Sequence, residues 1–147
     1  MRIESIAISP AKGTKKIPVG EVCLLKNYGL KGDAHAGSWH RQVSFLAKEA
    51  IDRVRERGLK VGFGDFAENI ATSGIDWPSL SLGTRVRLGG TAVVEITQIG
   101  KKCHTRCAVF RMAGDCIMPR EGVFARVLVG GEIRPGDRIS ILDGQTG

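Results

Sequence analysis

The chain has 147 residues, a formal net charge of +7, 42% apolar residues and 5% aromatic ones. A chain of that length makes one domain whose core needs no disulfide staples, and no apolar run approaches the length of a membrane span. Its lysines and arginines are scattered, apart from short groups at Lys12, Lys15 and Lys16 and at Arg53, Arg55 and Arg57, and they lack the interleaved aromatics that single-stranded nucleic acid prefers. The basic surface reads as a solvated one, with an anionic small ligand or an acidic protein partner as the sharper option.

Residues 2–8 alternate as a half-buried strand does, with Ile6 and Ile8 on one face and Ser5 on the other. Glu4, Pro10 and Lys12 interrupt what a signal peptide needs, so a cytoplasmic protein with reduced cysteines is expected. After a polar loop at 9–16, residues 19–25 predict a second strand in which Cys23 is an inert apolar-strand thiol. The loop at 29–37 lacks the Gly-Lys-Ser/Thr ending of a phosphate-binding loop. In it, Asp33 either orients His35, accepts from a backbone amide in an Asx turn, or simply caps an ordinary turn.

Ser44 is a good N-cap, and Phe45, Leu46, Ala50, Ile51 and Val54 recur at helical spacing, predicting a helix over about 45–57 that Gly58 stops. A glycine-rich turn at 62–69 leads into a short strand. Residues 85–88 and 91–99 form a hairpin around Gly89-Gly90. Residues 123–129 and 138–142 predict further strands, Gly130-Gly131 and Pro135-Gly136-Asp137 predict turns, and the tail at 143–147 is expected to fray. These short strands, one clear helix and short additional helical turns predict a single domain over 1–147, mainly β and antiparallel β-barrel-like.

The chemistry concentrates between Gly100 and Gly122, which hold three of the four cysteines: Cys103, Cys107 and Cys116. His104 lies between the first two, and Lys101, Lys102, Arg106, Arg111 and Arg120 surround them in sequence. Nearby positive charge favours the thiolate, the reactive and metal-ligating form. Three readings stand. The first is a sulfur or metal-cofactor relay on one low-pKa thiolate, with Cys116 in the Gly114-Asp115…Pro119 turn and Cys103 as candidates. The second is a zinc site from the three cysteines and a histidine, although the paired Cys-x-x-Cys knuckle is missing. The third is a set of packed thiols.

Several short runs together resemble a known family. Gly29-Leu30-Lys31-Gly32-Asp33-Ala34-His35, Arg41-Gln42-Val43-Ser44, Glu68-Asn69-Ile70, the Gly83 and Gly89 strand pair, the Cys103 segment and Gly136-Asp137-Arg138-Ile139 are similar, in that order, to the MOSC domain. That is the molybdenum cofactor sulfurase C-terminal domain, and the resemblance spans nearly the whole chain. It implies a β-rich barrel-like fold and a sulfur carrier that takes sulfur from a pyridoxal-phosphate cysteine desulfurase onto a cysteine and passes it to a metal–sulfur centre.

Larger relatives bind the molybdenum cofactor, with a cysteine sulfur on the metal, and reduce N-hydroxylated compounds. Carried over by position, the sulfur-bearing or metal-ligating cysteine falls on Cys116 and the second motif cysteine on Cys103, where Lys102 replaces the proline that many members carry. Cys107 is a supporting thiol. His35, Arg41, Gln42, His104 and Arg120 are expected to tune the thiolate or hold the pterin phosphate. Pyridoxal phosphate would belong to a partner, either a desulfurase or a cofactor-synthesis enzyme, and zinc is the alternative metal. Without the second β-barrel domain of the larger relatives, a carrier role is expected ahead of independent reductase activity, and a zinc-stabilised adaptor is the non-enzymatic alternative.

Overall fold

Alternation of apolar and polar residues along the longer strands builds a sheet with one buried face and one mixed face. In a computed structural model of the chain, residues 1–9, 16–34, 36–58, 60–66, 68–100 and 122–142 are described. In chain order these give β1 (Arg2–Ile8), β2 (Ile17–Val19), β3 (Val22–Leu25), β4 (Gly29–Leu30), β5 (Val43–Ala47), α1 (Lys48–Glu56) and β6 (Ile70–Ser73). A single 3-10 turn at Trp77–Ser79 precedes β7 (Arg85–Leu88), β8 (Ala92–Ile99), β9 (Val123–Val129), β10 (Gly131–Ile133) and β11 (Ile139–Ile141).

Eight strands form one sheet in the order β11-β7-β8-β9-β5-β6-β1-β2, and β10-β3-β4 form a second. All pairings are antiparallel except β5 with β6. A parallel pair needs a crossover, and α1 supplies it. The large sheet curls without closing. β11 and β2 are its edges, yet Arg2 bridges Arg138, and Ile3 donates to the Asp137 carbonyl at 2.8 Å. The fold is mainly β, as expected, with an open curl in place of a closed barrel.

The core lies inside the curl, where Ile3, Phe45, Ile70, Trp77, Leu88 and Ile96 are at most 1% exposed. Trp77 stacks at a tilt on Phe45, 4.5 Å between centroids, and its indole N–H donates to Thr72 Oγ1 at 2.7 Å, so the largest core side chain leaves no polar atom unpaired. A smaller cluster outside the sheet packs Ala50, Ile51 and Val54 of α1 on Leu46, Ala71 and Phe124.

Four expectations change. The helix starts at Lys48 and not after Ser44, because residues 43–47 pair on both sides, with β9 and with β6. Two rows of ladder hydrogen bonds outweigh a helical repeat that α1 continues only from Ala50 onward. Residues 19–25 are not one strand. The chain bends at Gly20, so that β2 joins the large sheet and β3 the small one. Gly130-Gly131 is no simple turn, since Gly131 opens β10 and a Cβ on Gly130 would lie 2.6 Å from the Leu24 carbonyl oxygen. Lys16, counted above with the surface lysines, is 2% exposed.

Candidate functional site

The segment that carries three cysteines leaves and rejoins the sheet at one point. β8 and β9 pair as far as Ile99 and Val123, and beyond them the Gly100 N–H donates to the Gly122 carbonyl at 2.7 Å. Residues 101–121 lie between those two glycines in sequence. Cys103, His104, Cys107, Cys116 and Arg120 are among them and so lie outside the described residues, as does His35. Arg41 and Gln42 are described.

Gln98 organises the point of departure. A bulge at Thr97 shifts the β8–β9 register and sets Gln98 opposite Phe124. Its Nε2 donates to the Gly100 carbonyl at 2.8 Å. Its Oε1 accepts from Arg41 Nε at 2.9 Å and lies 2.9 Å from His40 Nε2, which fixes that nitrogen as the protonated one. The Arg41 guanidinium sits 5.3 Å from the Phe124 ring and 5.8 Å from the Trp39 ring. With Nε taken and two rings close by, its terminal nitrogens are the part left for an anion, beside the ends of the cysteine segment. Thr97 Oγ1 donates to the His40 carbonyl and ties β8 to the segment before β5.

Gln42 has a different place. It is fully buried, accepts from the Val127 N–H at 2.9 Å and donates to Asn27 Oδ1 at 2.9 Å. Both ends of its amide are thus engaged in joining β9 to the turn at Asn27. The structure sets the two members of the expected pair apart, with Arg41 at the cysteine segment's ends and Gln42 in the interior.

The remaining motif residues form a buried polar knot. Asp33 Oδ1 accepts from the Ser9 N–H at 3.0 Å and from Lys16 Nζ at 2.7 Å, and Lys16 Nζ also donates to Ser9 Oγ at 3.2 Å. The ion-pair side chains are 1% and 0% exposed. Asp33 accepts from a backbone amide far away in sequence, that of Ser9, while His35, the other partner considered for it, lies outside the described residues. Lys16 donates its own N–H to the Gly64 carbonyl at 2.9 Å, and Glu68 accepts from the Gly64 N–H at 2.7 Å and the Phe66 N–H at 3.3 Å. Asn69 binds Ser44 reciprocally, accepting from its N–H at 2.9 Å and donating its own N–H to Ser44 Oγ at 2.9 Å, while its amide donates to the Ala7 carbonyl at 3.1 Å. Ser44, expected to cap a helix, is therefore spent on joining β5 to β6.

Burial pushes the Glu68 carboxyl up to about 7, against the opposing pull of the Gly64 and Phe66 N–H groups. The folded chain then holds this proton more tightly than the unfolded chain does, so stability falls as pH rises from about 4.5 through about 7. At 1.36 kcal/mol per pH unit the loss approaches roughly 3 kcal/mol. Urea unfolding at about pH 5 and about pH 8 should show that excess loss in the native chain and not in Glu68→Gln. Equal pH dependence in the two would remove Glu68 as its source.

Among the described residues no group of three or more His, Cys, Asp and Glu side chains could hold a metal. No described helix is long and apolar enough to cross a membrane. Cys23 is half-buried on β3, more open than a core thiol, with its Sγ 3.8 Å from the Leu24 carbonyl oxygen.

The order of motifs now has a spatial counterpart: the loop before Asp33, the Arg41 to Ser44 run, Glu68-Asn69 and the β8–β9 mouth meet around one curled sheet. The family model for the MOSC domain matches residues 32–140. The chain belongs to the MOSC domain family. Solved structures bear out the MOSC fold. Bacillus subtilis YuaD is 18% identical with a TM-score of 0.76, covering 94% of this chain and 93% of that one. YiiM from Geobacillus stearothermophilus is 21% identical with a TM-score of 0.75, covering 97% and 75%. YiiM from Escherichia coli is 20% identical with a TM-score of 0.68, covering 97% and 70%. No curated protein matches the sequence.

Sequence reasoning missed Gln98 and Lys16. Gln98 carried no signal, lying in a β-branched strand. Lys16 had one in hindsight: a lysine ending a polar loop just before an apolar strand, with an aspartate in the next Gly-Asp turn.

Proposed function

We propose that this MOSC protein carries sulfur in molybdenum cofactor metabolism, with Cys116 as the sulfur-bearing thiolate and Cys103 as the second thiol. The observation that carries the reading is the Gly100–Gly122 clamp, which starts and ends the cysteine segment beside Arg41. A guanidinium there favours anionic sulfur over the neutral thiol. The donor is a cysteine persulfide on a partner desulfurase that uses pyridoxal phosphate. The carrier thiolate attacks the terminal sulfur, and the new S–S bond forms as the donor's S–S bond breaks. The donor cysteine leaves as a thiolate with the bonding pair and the proton stays on the transferred sulfur, so nothing is oxidised or reduced overall.

The molybdenum cofactor, when bound, would supply a metal that accepts this sulfur. The described residues suit part of that role: Arg41 offers unpaired guanidinium nitrogens for a pterin phosphate, whereas a metal ligand would have to come from Cys116, Cys103 or Cys107.

Incubation with a cysteine desulfurase and cysteine, followed by intact-mass and peptide analysis, tests the reading. One reductant-labile sulfur on Cys116 is expected, and Cys116→Ser should abolish loading. Full loading of that variant would remove Cys116 from the role. Stoichiometric zinc on unmodified cysteines would replace the carrier by a zinc-stabilised module, and turnover of an N-hydroxylated compound once cofactor is supplied would replace it by a reductase.

A further inference from the structure

Helix α1 covers only half of the large sheet's outer face. It packs over β5, β6 and Phe124, through Leu46, Ala71 and its own Ala50, Ile51 and Val54. The outward rows of β7, β8 and β9 have no helix over them among the described residues. Their side chains follow from the register. One row runs Arg87, Val93, Val129, and the next Arg85, Glu95, Arg126.

These rows are strongly cationic and partly apolar. Arg85 and Arg87 project from the same face of one strand and have no acidic partner among the described residues. The one carboxylate in reach, Glu95, is held by Arg126 at 2.8 Å. In the row of Arg87, Val93 comes next and is half-buried, and Val129 beyond it is 45% exposed. Water-facing arginines on an antiparallel sheet are ordinary by themselves. Two like charges without an acidic partner among the described residues, in line with a half-buried and an exposed valine, are the composition of an interface that meets acid beside a dry patch. A polyphosphate suits it less: Glu95 stands in the middle of its row, and neither row holds an aromatic ring for a base to stack on.

The place is also informative. From Glu95 to Gly100 along β8 is roughly 17 Å at the rise of a strand, so the nearer row of the face lies within the reach of one docked domain from the start of the cysteine segment.

We propose that the face formed by Arg85, Arg87, Val93, Arg126 and Val129 docks an acidic segment of the protein that exchanges sulfur with residues 101–121. This rests on the carrier reading given above. Docking through this face brings the partner's persulfide to the segment, and the charge of Arg85 and Arg87 speeds the encounter.

The test compares two sulfur sources on the intact protein. Arg85→Glu/Arg87→Glu should slow loading from a cysteine desulfurase with cysteine by about tenfold or more, with Arg85→Gln/Arg87→Gln intermediate. Both variants should keep the native melting temperature and load at the native rate from sodium polysulfide, which needs no docking. Native loading from the desulfurase should fall between about 0.05 M and about 0.5 M salt, and polysulfide loading should not. Native-rate desulfurase loading of the charge-reversed chain would overturn the proposal, as would loss of oligo-dT binding in that chain with sulfur loading intact. If polysulfide loads no cysteine even in the native chain, the carrier reading itself falls and takes the docking face with it. The two failures are thus distinguishable.

Discussion

Asp33→Ala is expected to bring the protein to the edge of folding. The substitution leaves the Lys16 ammonium, on a side chain that is 1% exposed, without the carboxylate 2.7 Å away, and it takes the acceptor from the Ser9 N–H. Removing one partner of a buried ion pair costs roughly 3–5 kcal/mol, because the remaining charge has lost its water and gained nothing in return. Against a whole-domain stability of about 5–15 kcal/mol that is a large share. Asp33→Asn keeps an acceptor for Ser9 and should lose less. The double variant Lys16→Met/Asp33→Leu, which removes both charges, should recover most of the loss. Urea midpoints of the three variants decide it. A loss under about 1 kcal/mol in Asp33→Ala would show that other groups around Lys16 hold its charge.

Gly64→Ala should cost a comparable amount by another route. Gly64 has φ of +87°, and a Cβ there would lie 2.1 Å from the Lys16 carbonyl oxygen and 3.0 Å from its carbon. Both are backbone atoms of a segment held by the Asp33 pair and by the Lys16 N–H to Gly64 carbonyl bond, so no rotamer change relieves the overlap. The left-handed backbone costs about 1–2 kcal/mol for any L side chain and the overpacking about 1–3 more. Gly136→Ala is the internal control, with φ of +96° and open space around the added Cβ. It should show the backbone cost alone. If the two variants lose equal stability, the close approach of residues 16 and 64 contributes nothing.

These two predictions converge on one place, where the end of the 9–16 loop, the Gly-Asp turn and the glycine-rich 62–66 turn are joined by buried polar groups. The sequence signal for that junction is faint, because its members are separated by tens of residues and each alone looks like loop chemistry. Lys16 illustrates the difficulty. A lysine in a polar run is normally solvated, and only the tertiary approach of Asp33 makes its burial tolerable.

Much of the fold was legible in local pattern. The β7–β8 hairpin followed from Gly89-Gly90 between β-branched runs, β1 from alternation, and the domain family from the order of short motifs, none distinctive alone. The helix end was legible as well, at Gly58. Its start was not: Phe45 and Leu46 fit a helical face, yet they alternate between two clusters, Phe45 inside the curl and Leu46 under α1. The choice between strand and helix over five residues was made by two pairing partners that both lie more than twenty residues further along the chain.

The candidate site divides in the same way. Sequence by itself determined where the nucleophilic chemistry is concentrated, because three cysteines and their cationic neighbours fall within residues 101–121, a local fact of composition. It also set Arg41 at the start of one of the short motifs that carry the family resemblance. Tertiary structure alone decided that Arg41 is held by Gln98 at the segment's two ends while the adjacent Gln42 is sealed inside. It also decided that α1 packs over β5 and β6 and not over the arginine-rich rows of β7 to β9, which no other described helix covers. The physical reason is that side chains on neighbouring positions of a strand point to opposite faces, and which face becomes interior is set by what packs on it, not by the residues themselves.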